Sequence, residues 1–198
     1  MKKLMLACAV CVTAIAPAAA SAADPAPSDF KNAAKYCKAL KAASGSSFAS
    51  MFGTKKNAYG KCVSSTAKKN ATEDAAQERA AKTNAAKECK AERADAGFAA
   101  AHGGKTFEQF YGTGNGKNAH GKCVSQKAKQ HKADADDEDK AEAKDRVNAA
   151  KTCKAAKKSD PDKFAEDYGT RRNAFGKCVS RTAKQRAAER KAPSTPAA

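Results

Sequence analysis

The sequence is poor in the residues that build a core. None of its 198 residues is tryptophan, and beyond residue 22 isoleucine is absent, Leu40 is the single leucine, and four valines and eight phenylalanines make up nearly all of the large aliphatic and aromatic set. Chains in which Leu, Ile, Val and Phe together fall below about 20% while charge is high do not bury enough apolar surface to repay ordering. An ordinary globular core is excluded. Alanine stands in place of the larger side chains, and because it favours helix, a helical chain with little burial stays open. Catalytic signatures are also missing: beyond residue 22 the chain has no CxxC, no Ser-His-Asp set and no isolated thiol nucleophile, and no carboxylate is marked out by a setting that would raise its pKa. No catalytic residue, cofactor or metal is therefore assigned, and the protein is expected not to be an enzyme.

Residues 1–22 have the three parts of a secretory signal: Lys2 and Lys3, an apolar run from Leu4 to Ala16, and small residues around Ala20, Ser21 and Ala22, with cleavage expected after Ala22. The run is too short to span a bilayer as a helix, and nothing downstream is apolar enough to try. An exported chain without a transmembrane segment is expected, secreted or associated with the cell envelope. A lipid-modified cysteine at Cys8 or Cys11 has little support, because neither is followed by a small-residue context after a full apolar region. Removing the signal leaves six cysteines in a compartment where disulfides persist. The formal net charge is +17, and subtracting Lys2 and Lys3 leaves +15. A chain so basic associates with polyanions unless salt screens it. Lysine outnumbers arginine thirty to eight, and lysine acts as a point charge where arginine reads shape, so unspecific anion binding is expected.

Two phrases recur three times. NAAKxCK occupies Asn32 to Lys38, Asn84 to Lys90 and Asn148 to Lys154, with the second alanine and the cysteine expected on one inward helical face. The second phrase runs from Phe52 to Ser64, Tyr111 to Ser125 and Tyr168 to Ser180, as in YGTRRNAFGKCVS. A motif recurring at this spacing is a structural unit. Aromatics at i and i+4 (Phe48 and Phe52, Phe107 and Tyr111, Phe164 and Tyr168) predict a short amphipathic turn of helix stopped by Gly53, Gly112 or Gly169 in a left-handed conformation. Asp160 and Pro161 mark the start of the third such turn. Asn57, Asn118 and Asn173 stand where an N-cap is wanted, and Gly60, Gly121 and Gly176 are expected to permit close packing. The middle copy inserts GFAAAHGG and two residues near Gly114 to Gly116, so its loop is expected to be longer.

No glycine or proline interrupts Lys61 to Asp95 or Lys122 to Ser159, and Ala, Lys and Glu all propagate helix. Two continuous helices are favoured over pairs of helices broken at phrases such as Asn70 to Glu73, which resembles a capping box. Cys62 and Cys89 on one helix would lie roughly 40 Å apart and could not bond. Of fifteen connectivities, the expected pairs are Cys37 with Cys62, Cys89 with Cys123, and Cys153 with Cys178. The fold expected is all-α: three disulfide-stapled helical-hairpin repeats, over 29–71, 72–133 and 134–191, joined by long Ala/Lys-rich helices. A Pro-containing linker over 23–28 precedes them, and a disordered tail over 192–198 follows.

His102, His120 and His131 all fall in the middle repeat, and His120 lies three residues from Cys123, which invites a metal reading. The aligned residues are Tyr59 and Phe175, so His120 is expected to fill an aromatic packing position instead. The acidic run Asp134 to Asp139 lacks the alternation and central glycine of a calcium loop and reads as a solvated helix face neutralising nearby lysines. Lys61, Lys122 and Lys177 precede the second cysteine of each repeat, and Lys55, Lys56, Lys117, Arg171 and Arg172 adjoin them. These eight cations form a candidate polyanion-binding surface at each hairpin tip, spaced along the molecule so that weak contacts add.

The NAAKxCK and YGTxxNAFGKCVS phrases resemble those of secreted proteins of high-GC actinobacteria that carry no assigned activity. That resemblance implies an exported bacterial protein of cysteine-paired units and no mechanism. Three functions follow as expectations: binding to an anionic polymer of the cell wall or matrix, binding to extracellular DNA, or a spacer role in which charge only gives solubility. The oligomeric state stays open.

Overall fold

The computed structural model describes residues 31–53 and 56–192. The signal-like segment, the linker, Lys55 and residues 193–198 lie outside the described residues. Eight α-helices and no strand are present among those described. They are α1 (Ala33–Ser44), α2 (Phe48–Phe52), α3 (Ala58–Ala94), α4 (Phe98–Ala101), α5 (Phe107–Tyr111), α6 (Ala119–Ser159), α7 (Pro161–Tyr168) and α8 (Ala174–Lys191).

Local chemistry sets most boundaries. Asn32 starts α1, its side chain accepting hydrogen bonds from the amides of Ala34 and Lys35, and Gly45 at φ +58° ends it. Asn84 and Asn148 hold the same place in the motif but lie inside α3 and α6, because the preceding Ala/Lys/Glu stretch carries the helix through them. The helices are thus continuous, at 37 and 41 residues, or about 55 and 60 Å long at 1.5 Å per residue. Asn70 caps nothing. It lies within α3 and its side chain donates to the carbonyl of Lys31. Asp160 caps α7 through the amide of Lys163, with Pro161 in the first position.

The three disulfides are Cys37–Cys62, Cys89–Cys123 and Cys153–Cys178, each with its Cα atoms 6.0 Å apart. They close loops of 25, 34 and 25 residues, which the chain-entropy model values at about 3.5 to 4 kcal/mol each. In every unit the paired aromatics meet, with ring centroids 4.9, 5.0 and 4.9 Å apart. Phe48, Phe107 and Phe164, the first of each pair, are all buried.

The arrangement around α6 decides where the units go. α3 runs antiparallel to it, with Cys89 bonded to Cys123 near their turn and Lys132 hydrogen-bonded to Asp74 farther along. α8 is also antiparallel, from the Cys153–Cys178 bridge to Arg190 at Glu138. α1 lies beside α6 in the parallel sense, with Lys31 hydrogen-bonded to Asp136 and a Cβ at Gly45 3.2 Å from the Lys154 side chain. The first and third units therefore sit at one end, the near end, and share one core that includes Tyr36, Leu40, Phe48, Val147, Phe175 and Val179. The middle unit forms a separate cluster at the distal end: Cys89, Phe98, Phe107, Ala119 and Cys123. Contrary to expectation, the three tips do not all stand apart along the molecule, because two long helices reverse the chain twice and bring the third tip back to the first.

Pairing of units also explains why aligned aromatics differ. Phe175 is 2% exposed because it packs into the shared core, whereas Tyr59 is 39% exposed, its hydroxyl donating to the carbonyl of Ala34. His120 is exposed and fills no packing position. The inward face expected for NAAKxCK holds in the third copy, where Ala150 is buried beside Ala149, but not in the first two, where Ala34 is exposed and Ala86 half-buried while Ala85, four residues before its cysteine, is buried. Four residues bring a side chain over the cysteine as well as three do. The insertion GFAAAHGG gives more than a longer loop, since α4 within it supplies Phe98 to the distal core.

Two glycine expectations need correction. Gly53 and Gly169 take positive φ, but Gly112 does not; there a Cβ would come within 2.2 Å of the Glu108 carbonyl, so close approach requires the glycine. A Cβ at Gly60 or Gly121 would meet nothing within 4 Å, and at Gly176 only Met51 at 3.8 Å, so these three glycines permit no close packing. Asn57, Asn118 and Asn173 precede their helices without a side-chain capping bond, Asn118 in the left-handed region at φ +61°. The side-chain cap that does form at the distal end is the capping box of Thr106 and Gln109 at the start of α5.

Candidate functional site

The helix starts of α3, α6 and α8 place the candidate cations. Lys61, Lys122 and Lys177 fall in the first turn of each, and Lys56, Lys117, Arg171 and Arg172 in the loops just before. All seven are exposed, and none forms an ion pair among the described residues. The Lys61 side chain lies back over the loop, where a Cβ on Gly53 would be 3.0 Å from its Nζ. Contact between α2 and α8 puts Lys56, Lys61, Arg171, Arg172 and Lys177 at the near end. Lys117 and Lys122 are at the distal end.

Carboxylates are taken up elsewhere. Asp74 on α3 and Asp136 on α6 both receive Lys31 and Lys132. Hydrogen bonds from Lys132 hold the Asp74 carboxyl below its ordinary range. Burial opposes ionisation of Asp136, yet Lys132 and Lys31 outweigh it and its pKa is also lowered. Glu138 receives Arg190 through its two terminal guanidinium nitrogens, at 2.7 and 3.1 Å, and Lys191 at 2.7 Å. Those hydrogen bonds lower its pKa to about 2. Asp145 meets Arg190 as well. The acidic run of α6 is thus more than a solvated face, since besides Lys132 and Lys140 of its own helix it pairs with Lys31 ahead of α1 and with Arg190 and Lys191 of α8 in the middle of the molecule.

The distal unit has its own small network, which the sequence pattern hid. Lys127 bonds Glu92 at 2.8 Å and approaches Glu88, while the Tyr111 hydroxyl donates to Glu92 at 3.0 Å. The Glu92 contact raises the Lys127 pKa, and burial followed by Glu92 raises that of Tyr111. In the other two units Thr66 and Thr182 occupy the position of Lys127, four residues after the second cysteine, and each lies 3.8 Å from a disulfide sulfur. A charged cluster stands in place of these hydroxyl–sulfur contacts where the core is smallest.

Neither metal reading finds a ligand set. Cys123 is disulfide-bonded, so it offers no thiolate beside His120. His131 Nε2 lies 2.8 Å from Glu88, and His102 stacks on Phe98 with centroids 3.8 Å apart. Asp74, Asp136 and Asp139 do bring carboxylate oxygens within 4.8 Å of one another, but lysine ammonium groups and Gln77 already neutralise or bond them. A groove of about 350 Å³ opens over α6 between α1, α3 and α8. Its cations Lys31, Lys69, Arg146 and Lys184 are balanced by Glu73, Asp74, Asp139 and Glu142, so it does not select polyanions.

A further cationic feature at the near end is legible in the sequence by counting. From Phe30 to Thr72 the sequence holds nine lysines and no carboxylate. Lys38 and Lys41 of that stretch, and Lys154, Lys157 and Lys158 of neighbouring α6, are exposed. Carboxylates at this end come from α7 and its cap: Asp160 is spent capping and Asp167 pairs with Lys163, while Asp162 and Glu166 are exposed and fewer than the lysines around them. No helix among the described residues is long and apolar enough to cross a membrane, and three disulfides are the mark of an oxidising compartment. No protein-family model matches the chain, and no curated protein or solved structure is significantly similar to it.

Proposed function

We propose that this is an exported, non-catalytic basic protein that binds anionic polymers of the cell envelope or matrix through the lysines and arginines of its hairpin tips. The observation that carries the reading is segregation of charge. Asp74, Asp136, Glu138 and Asp145 are taken up in ion pairs along the middle of the molecule, while Lys56, Lys61, Arg171, Arg172 and Lys177 stand exposed and without an ion pair, among the described residues, on two adjoining tips, where they outnumber the exposed Asp162 and Glu166 of α7. Unpaired cations keep their full attraction for an external anion, whereas a paired one must first break its internal contact. Disulfides hold the tips in place with little core, and rigid spacing lets several weak contacts act together.

Lysine predominates among the tip cations, so the surface offers charge density rather than a fixed hydrogen-bonding pattern. The ligand it suits is a flexible, repetitively charged chain. Retention of the oxidised chain 23–198 on immobilised heparin tests this: elution is expected only well above physiological salt and to move with ionic strength. Retention unchanged between low and moderate salt contradicts the reading, and tighter binding to duplex DNA than to heparin at equal salt replaces it with a nucleic-acid role.

A further inference from the structure

The chain reverses so that two tips share one end while the third lies at the opposite end of α3 and α6. Cations at the near end and at the distal end are therefore separated by about 55 Å, the length of a 37-residue helix. No rearrangement of a disulfide-closed unit brings them together. Between them lies the ion-paired middle, where Asp74, Asp136 and Glu138 already hold Lys31, Lys132, Arg190 and Lys191. The distal end presents Lys105, Lys117 and Lys122, all exposed and without an ion pair among the described residues. Its acidic residues are engaged: Glu108 pairs with Arg93, Glu92 with Lys127, and Asp95 accepts from the amide of Gly97.

From this we infer that the protein is a bridge: it holds two segments of anionic polysaccharide at once, one at each end, and so cross-links separate chains. The inference rests on the polyanion-binding reading above and adds what that reading leaves open, the number and placement of the sites. A Debye length is about 8 Å at physiological ionic strength, so a polymer segment seated at one end is not felt at the other, some 55 Å away. The two ends fill independently. The middle unit's departures also gain a purpose in this arrangement, because they enlarge only the isolated end. Its loops are longer, and the inserted α4 buries Phe98 under Phe107 and Phe110 with ring centroids 5.6 and 5.8 Å away. The distal unit thereby stands as a head with its own cluster, needing no partner unit to complete it.

The test uses a heparin oligosaccharide much shorter than the molecule, and long-chain heparin, with three forms of the oxidised 23–198 chain. These are wild type, a distal variant (K105Q/K117Q/K122Q) and a near-end variant (K56Q/K61Q/R171Q/R172Q/K177Q); circular dichroism and a non-reducing thiol assay establish that each is folded and oxidised. Calorimetry is expected to give two oligosaccharides per wild-type molecule and one per molecule of either variant. Light scattering with long-chain heparin is expected to rise for wild type and to fall to the level of the separate components for both variants. A stoichiometry of one for wild type overturns the bridge, as does scattering by the distal variant equal to that of wild type. Absence of binding by all three forms at low salt overturns instead the polyanion reading on which it rests.

Discussion

At the scale of single residues, exposure separates positions that the repeat makes look equivalent. Phe175 is 2% exposed in the shared core, Tyr59 is 39% exposed, and His120 is exposed at the distal end. Phe175→Ala is expected to cost about 3 to 4 kcal/mol, the range for deleting a buried aromatic. Tyr59→Ala should cost about 1 kcal/mol, chiefly its hydrogen bond to Ala34. Urea unfolding of both variants checks the contrast, and equal losses would mean that the first and third units do not share a core. Glu138 gives a pH prediction of definite sign. Its folded pKa of about 2 lies below the ordinary 4.5, so its pairing with Arg190 and Lys191 stabilises fully above about pH 4.5 and is lost as the pH falls toward 2. Asp74 and Asp136 act in the same direction. Glu138→Gln should flatten the acid limb of the stability curve over that interval and leave its slope above pH 6 unchanged, as measured by urea midpoints across pH.

At the scale of elements, the most legible features in the sequence were those set by chain propagation and covalent reach. The uninterrupted Ala/Lys/Glu stretches gave α3 and α6; their length excluded a Cys62–Cys89 bond, and the compact loop between each unit's own two cysteines pointed to the pairing observed. The i, i+4 aromatics gave α2, α5 and α7. Capping was read less well. An asparagine before a helix looks the same whether its side chain bonds, as at Asn32, or does not, as at Asn57 and Asn173. The role of Gly60 and Gly121 was misread for a related reason, since a glycine in sequence does not reveal whether anything approaches it. With open space around both, Gly60→Ala and Gly121→Ala should each stabilise the protein by about 0.5 to 1 kcal/mol, as glycine is a poor helix former. Thermal unfolding of the oxidised variants tests this, and a lowered midpoint would show that one of these positions is constrained.

For the whole molecule, what the sequence left hidden was how distant units meet. Nothing in YGTRRNAFGKCVS marks Phe175 as packing against a unit more than a hundred residues earlier, and only the double reversal through α3 and α6 brings them together. The near-end cations follow the same logic: Lys56 and Lys61 were individually visible, but their proximity to Arg171, Arg172 and Lys177 depends on that reversal. The two cores also predict unequal dependence on the disulfides. In a Cys89→Ser/Cys123→Ser double variant the distal cluster loses the bridge at its centre, while the shared near-end core keeps both of its own. Amide exchange should then accelerate over residues 95–118 and change little over α1 and α8. Uniform acceleration would contradict the division into two ends.

The claim that exposed tip cations, rather than net charge alone, bind the polymer is tested most directly by the salt dependence of heparin affinity. The comparison is between the near-end variant (K56Q/K61Q/R171Q/R172Q/K177Q) and a control that removes five exposed lysines of other segments, K82Q/K87Q/K129Q/K144Q/K184Q. Both lose the same formal charge. The log–log slope of affinity against salt should become markedly shallower for the near-end variant and stay close to wild type for the control. Equal slopes for the two would contradict the account, because binding would then follow total charge and owe nothing to where the fold places it.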